Sequence, residues 1–256
     1  MIMKLGAQLF SVRTFTQTAE DLRTTFDRMK AIGYENVQLS GAGPIAAEQI
    51  REISEESGLP IVCTHVPYDR ILHDTDALIR EHKVFGCPVI GLGAMPKEAR
   101  EGGVSALDAF FDALSEPVKK IHDAGLSFAY HNHAFEFQTL AETQQTIYDT
   151  MLERCPDWHF IMDTYWVEFA GYSATEYITK IGTDRLVNIH FKDMAADEAR
   201  SICPCGKGVL DFGKIFSVCQ EIGVQNVLVE QDNAVKSPDA FADMETSFRH
   251  LRPIVH

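Results

Sequence analysis

The chain changes its hydrophobic period with a regularity that few architectures accommodate: a short apolar run, then a longer amphipathic stretch, eight times over. The apolar runs are Lys4 to Phe10, Tyr34 to Leu39, Leu59 to His65, Pro88 to Gly93, the run ending at His131, Trp158 to Asp163, Leu186 to Lys192 and Asn226 to Glu230. Their length and near-continuous apolarity suit strands buried on both faces. Between and after them, helical spacing marks Thr18 to Ile32, Ile45 to Ser57, Asp69 to Phe85, Val104 to Asp123, Ala141 to Arg154, Ser173 to Ile181, Phe212 to Ile222 and Asp239 to Leu251. Gly33, Gly58 and Gly86 follow three of these stretches, where a left-handed residue closes a helix. The longest carries Leu107, Phe110, Phe111, Leu114, Val118 and Ile121 as its buried stripe, and Pro117 predicts a kink in it. Eight strand-then-helix units in 256 residues match the size and rhythm of a (β/α)8 barrel. A doubly wound open sheet is the structural rival, but no G-x-G-x-x-G follows the first strand. Gly91-Leu92-Gly93 lacks the third glycine and runs on towards Pro96. No linker or low-complexity tract divides the chain, so residues 1–256 are read as a single domain.

Four of the runs finish in an unexpected way. Phe128-Ala129-Tyr130 passes into His131-Asn132-His133 and, three residues on, Glu136; Phe160-Ile161-Met162 ends in Asp163; Val187-Asn188-Ile189 in His190; Val227-Leu228-Val229 in Glu230. A buried strand does not end in ionisable groups unless each finds a partner or the strand opens into a site. In a barrel all carboxyl ends meet on one face, so His131, Asp163, His190 and Glu230 are expected to converge. Imidazole and carboxylate ligands without a thiolate suit Mn²⁺, Mg²⁺, Co²⁺ or Zn²⁺. Taken singly, each residue reads better as a cap or a satisfied core group; the four together read as a metal site.

Composition narrows the partners. The 37 acidic residues outweigh 23 basic ones, a formal charge of −14, which disfavours nucleic acid as a ligand. No run is long enough to span a membrane, and Leu5 to Phe10 is too short for a signal peptide. These features predict a cytoplasmic protein with a small-molecule substrate. Of the six cysteines only Cys203-Pro204-Cys205 forms a close pair, and without a second pair nearby it reads as plain thiols.

The same strand ends carry a resemblance. Gly6-Ala7-Gln8-Leu9-Phe10-Ser11-Val12-Arg13, Tyr130-His131-Asn132-His133, Met162-Asp163-Thr164, His190-Phe191-Lys192-Asp193, Gly206-Lys207-Gly208-Val209-Leu210-Asp211-Phe212 and Val229-Glu230 resemble the sugar phosphate isomerase/epimerase family, whose members have a xylose isomerase-like TIM barrel. The resemblance runs from the first strand to the eighth. It implies a divalent metal held by Asp163, His190 and Glu230 together with a ligand from strand five. In the family's ketose epimerases that ligand is a glutamate serving also as acid/base; here the strand ends in His131, so either His131 ligates or Glu136 reaches back. Those epimerases also have a histidine three residues beyond the strand-six aspartate, where this chain has Trp166, a face on which a sugar ring could pack. The family includes epimerases, isomerases, inosose dehydratases and enzymes of 3-keto sugars, and barrels of this type are compatible with homo-oligomers.

Other positions take roles from their place. Lys192, two residues beyond His190, shares its side of the strand and could steady an enolate oxygen, act as acid/base if its pKa is lowered, or pair with Asp163 or Asp193. His65 ends strand three, where it could contact a substrate hydroxyl, and Asn132 and Glu136 flank the strand-five end as further substrate contacts. Gly206-Lys207-Gly208 is not a P-loop; it would let the chain turn closely over the metal face, with Asp211 capping the next helix. The reading is therefore a metal-dependent isomerase or epimerase that abstracts a proton beside a polarised carbonyl, with Glu230, His133 and Lys192 as catalytic groups. A lyase or dehydratase of an inosose or 3-keto sugar is the alternative on the same site. An endonuclease IV-like DNA repair enzyme is a further one, which the charge opposes, and a carbohydrate-binding relative without activity would not need all of Asp163, His190 and Glu230.

Overall fold

The computed structural model describes residues 3 to 256. The eight expected strands are β1 (Lys4–Gln8), β2 (Val37–Ser40), β3 (Ile61–His65), β4 (Val89–Leu92), β5 (Ser127–His131), β6 (His159–Asp163), β7 (Leu186–Phe191) and β8 (Asn226–Val229). They form one sheet in the order β3-β2-β1-β8-β7-β6-β5-β4, every neighbouring pair parallel. The ends of that order meet: Val66, just past β3, bridges Leu92, and its N–H donates to Gly91 O at 2.9 Å. The barrel is closed by this contact, and the open-sheet alternative falls.

The helices are α1 (Ala19–Ile32), α2 (Ala47–Ser57), α3 (Tyr68–His73), α4 (Thr75–Val84), α5 (Lys97–Glu101), α6 (Gly103–Asp123), α7 (Ile147–Arg154), α8 (Thr164–Phe169), α9 (Ala174–Ile181), α10 (Phe212–Glu221) and α11 (Ala240–Val255). Their apolar faces pack on the outside of the strands, as Leu22, Phe26 and Met29 of α1 do. Residues alternating inward are fewer and smaller. Cys63, Val89, Ala129 and Ile161 form a compact cluster, and three of them lie two residues before His65, His131 and Asp163. With a side-chain period of two, this layer supports the polar strand ends from within the barrel.

The structure departs from sequence expectation mainly in the loops. The stretch expected as one helix from Asp69 to Phe85 is two, divided at Asp74, whose backbone leaves the helical region. Residues 141 to 146 make turns, so α7 starts only after its Thr146 cap. Helix α6 continues through Pro117 without a break. The elements not foreseen are the 3₁₀ turns Leu9–Phe15, Phe135–Phe137 and Ala234–Lys236, the short helices α5 and α8, and an antiparallel ladder of Asp193–Met194 with Ile202–Cys203. No helix of the described residues is long and apolar enough to cross a membrane.

Candidate functional site

The strand register brings the four ligand-type residues together. Asp163 pairs across the sheet with His190, and Leu228 also pairs with His190, so Glu230 follows level with Lys192. Potential ligand atoms of His131, Asp163, His190 and Glu230 all lie within 4.8 Å of one another, and all four residues are buried. Strand five thus contributes His131, not Glu136, to this group. Atoms held about 2.0–2.2 Å from one ion are at most about 4.4 Å apart, so a small contraction would close the group on a divalent metal.

The hydrogen bonds behind the group turn its lone pairs inward. The His131 Nδ1–H donates to Gly93 O at 3.1 Å, which leaves Nε2 facing Asp163 Oδ2 at 3.5 Å and Glu230 Oε2 at 3.9 Å. That Nε2 has no hydrogen-bond partner. Gln38 turns its Nε2 towards Thr64 O and its Oε1 towards His190, so the His190 Nε2–H donates to Gln38 at 2.6 Å. The other His190 nitrogen, Nδ1, then meets Glu230 Oε2 at 2.8 Å. Burial lowers the pKa of the His190 ring despite Glu230 and so favours its neutral form, in which this contact sets one lone pair against another. A cation between them resolves it. Acceptors that fix the outer nitrogen of a ligating histidine are the usual support of a metal site, and the residues present fit a divalent ion.

One cation is already built in. Lys192 is fully buried, with Nζ 2.7 Å from Asp163 Oδ2, 2.9 Å from Glu230 Oε2 and 2.7 Å from Asp232 Oδ2. Burial alone would lower its pKa, but the three carboxylates prevail and hold the ammonium well above the ordinary lysine range. The condition for Lys192 to act as a base, a lowered pKa, is therefore not met in this arrangement. Its partner is Asp163 rather than Asp193, whose carboxylate instead accepts four backbone N–H groups, from Met194, Gly206, Gly208 and Leu210. Asp193 thus shapes the glycine-rich loop, and a Cβ on Gly208 would run into it. Asp211 caps α10 through Lys214 N.

Burial would raise the carboxyl of Glu230, yet Lys192 and His190 bring it well below the usual range; Asp163 is lowered likewise, chiefly by Lys192. For His131, burial is outweighed by Asp163 and Glu230, and the ring is raised. Burial depresses His65 well below its ordinary value and His133 to about 3, both helped by His131.

The remaining expected residues are distributed around this group. His65 and His133 line a cavity that opens beside the four ligands, together with His131, Glu230 and Asp232. The amide of Asn132 is engaged by the backbone of Asp163, accepting from its N–H at 2.9 Å, so it braces strand six. Glu136 sits apart from the cluster, accepting from Tyr130 OH at 2.6 Å and from His133 N at 2.7 Å, and burial pushes its carboxyl up to about 7. Trp166 packs against His133 with ring centres 5.5 Å apart and lies over Lys192 Nζ at 5.4 Å, outside the cavity wall. Asp232 and Gln38 were missed. The i, i+2 rule that singled out Lys192 after His190 would also have singled out Asp232 after Glu230; Gln38 carries no signal beyond a polar residue within a buried strand.

No curated protein matches the chain in sequence. Among solved structures, a sugar phosphate isomerase/epimerase from Parabacteroides distasonis superposes with a TM-score of 0.81 at 23% identity, over 99% of this chain and 100% of that one. An L-ribulose 3-epimerase gives 0.75 at 12% identity over 99% and 95%, and the probable 3-DHS dehydratase AsbF from Bacillus anthracis 0.73 at 12% over 98% and 99%. At these identities the likeness speaks for the fold. The model of one family matches residues 26–254, nearly the whole barrel, and the chain belongs to that family, the xylose isomerase-like TIM barrels.

Proposed function

We propose that this protein is a divalent-metal-dependent isomerase or epimerase of a sugar, keto-sugar or inositol-type ring, working by proton abstraction beside a carbonyl. The observation that carries the reading is the bare Nδ1 of His190, held 2.8 Å from the Glu230 carboxylate by the bond from its other nitrogen to Gln38. His131, Asp163, His190 and Glu230 would hold the ion, of the Mn²⁺, Mg²⁺, Co²⁺ or Zn²⁺ kind. Such an ion supplies polarisation of a carbonyl and its neighbouring hydroxyl, which acidifies the adjacent C–H.

The chain's own groups then move the proton. Glu230 lines the cavity and is the first choice as acceptor. Asp232 also lines it, and burial raises its carboxyl despite Lys192, which makes it the better-matched base of the two. His133, neutral and with its buried Nδ1 unpartnered, is the third. Lys192 stays an ammonium, buried behind the cavity and paired with Asp163, Glu230 and Asp232, and counters the charge of these carboxylates. Return of the proton to the other face gives an epimer, and return to the neighbouring carbon an isomer. A second reading is loss of a β-hydroxyl on the same site, which would make the reaction a dehydration; a neighbour in fold is a probable dehydratase. The endonuclease-like reading loses ground, because the described residues hold one four-membered ligand group and the charge is −14. The six free thiols fit a reducing cytoplasm, which we include in the proposal.

The test is turnover of Mn²⁺-loaded protein in D₂O with ketohexoses, inososes and 3-keto glycosides, followed by NMR. Deuterium at a carbon next to the carbonyl is the expected outcome. Metal-loaded protein that incorporates none across the panel would overturn the proposal.

A further inference from the structure

The cavity beside the ligand group measures about 1000 Å³. That is the upper end of what drug-sized ligands fill, and far more than one sugar ring occupies. Its two ends differ in chemistry. The inner end is ionisable, with His65, His131, His133, Glu230 and Asp232. The outer end passes over the top of β3 between α2 and α4, where Leu39, Ile45, Ile50, Tyr68 and Phe85 form the wall.

The charged groups and the imidazole at the outer end are already paired. Arg70 donates to both Glu81 oxygens, at 3.1 and 2.9 Å, and lies 3.6 Å from Asp74. His82 spans Thr64 Oγ1 at 2.8 Å and Leu78 O at 2.7 Å. A second sugar ring would bring several hydroxyls into this lobe, where the Tyr68 and Ser40 hydroxyls could meet only a few of them, and leave the rest short of partners. A phosphate would meet a guanidinium already neutralised by two carboxylates. An apolar ring meets neither penalty and covers the aliphatic and aromatic wall. The lobe is also preformed, because the loop after β2 is tied down: Gly43 N donates to Thr16 O at 3.0 Å, and the Gln17 amide donates to Gly41 O at 2.8 Å.

We infer that the outer lobe is a subsite for an apolar ring carried by the sugar, so that the substrate is a glycoside with an aromatic aglycone rather than a free or phosphorylated sugar. This rests on the proposed function for the sugar at the inner end. An unphosphorylated, amphipathic substrate also agrees with an acidic cavity in which Arg70 is the one guanidinium among the described lining residues.

The experiment is ligand-observed NMR titration of the Mn²⁺-loaded protein with phenyl and methyl glucosides of both anomers, cellobiose and glucose 6-phosphate. One phenyl glucoside should bind about tenfold or more tightly than its methyl counterpart, the gain expected for burying a ring. Cellobiose and glucose 6-phosphate should bind no better than the methyl glucoside. Ile45→Trp, at a half-buried loop position, fills the lobe and should abolish the phenyl advantage with metal content and Tm unchanged; Tyr68→Ala should reduce it. Equal binding of phenyl and methyl glucosides, a preference for cellobiose or the phosphate, or no binding of any glucoside would overturn the subsite. Deuterium incorporation into a free keto-sugar without a phenyl preference would leave the enzyme reading standing and remove the subsite alone. A phenyl preference lost in Ile45→Trp, with no deuterium incorporated anywhere, would do the reverse.

Discussion

The first four strands and the last four are built alike and end differently. Both halves are parallel, buried on two faces and backed by amphipathic helices. Yet β5 to β8 deliver His131, Asp163, His190 and Glu230 to the mouth, whereas β1 to β3 deliver Gln8, Gln38, Ser40 and His65, and β4 ends in the apolar Leu92. The second half supplies charge and lone pairs. The first supplies neutral groups that orient them, Gln38 for His190 and the Gly93 carbonyl for His131, and it supplies most of the cavity wall. Packing makes similar demands on the amino-terminal part of every strand, so the chemistry differs mainly towards the carboxyl ends. A symmetrical fold can therefore carry a one-sided site, with room for a ligand on the other side.

The sharpest way to break this comparison is to disarm the charged half. Asp163→Asn with His190→Ala removes one carboxylate and one imidazole from the group and should abolish divalent binding, measured by elemental analysis of dialysed protein. The rise in Tm that Mn²⁺ gives the parent should vanish with it, since a ligand stabilises only the state that binds it. A double variant with unchanged metal content would dissolve the distinction between the halves.

Next in size is Glu230→Gln, which keeps the shape and one neutral oxygen but removes a basic site. Turnover should fall by roughly two to four orders of magnitude, the range for a lost general base, while metal is retained at lower affinity. Near-normal turnover would mean that Glu230 only ligates, and Asp232→Asn would then be the variant to show the loss.

The neutral half should respond more mildly. Gln38→Leu deletes the acceptor that holds the His190 tautomer, and loss of such a support costs roughly 10–100-fold in metal affinity. Isothermal titration with Mn²⁺ measures it. If affinity stayed level, the first half would be a wall and nothing more.

The same asymmetry explains what was legible in the sequence. The eight strands, and the convergence of His131, Asp163, His190 and Glu230, follow from periodicity and from the rule that strand ends meet, both local patterns. The choice between His131 and Glu136 was not legible, because it depends on where the loop after β5 folds. There the short 3₁₀ turn Phe135–Phe137 carries Glu136 back under Tyr130 and His133 rather than out to the cluster. Gln38 was invisible for a related reason: its partner, His190, lies 152 residues away, and no spacing announces it. The split at Asp74 and the helix α8, capped at Trp166 N by the Asp163 carboxylate, are likewise set by contacts of the loops.

The smallest predicted effect concerns Glu136, a buried carboxylate of the second half that stands outside the cluster. Burial raises its pKa from 4.5 to about 7, against the opposing bonds from Tyr130 and His133. Between those values the folded state holds more protons at this site than the unfolded chain does. Stability from this group is therefore full below 4.5, declines as pH rises through 7, and is level above. Glu136→Gln cannot titrate, and it keeps an acceptor for His133 N and an N–H for the Tyr130 oxygen. The variant should thus gain on the parent between pH 5 and pH 8, by at most a few kcal/mol, in urea unfolding run at steps of one pH unit. Other titrating groups are common to both proteins and cancel in the difference. A flat difference would mean that Glu136 is ionised throughout. A difference of opposite sign would mean a carboxylate stabilised in its charged form, as a metal ligand would be, and would return Glu136 to the cluster in place of His131.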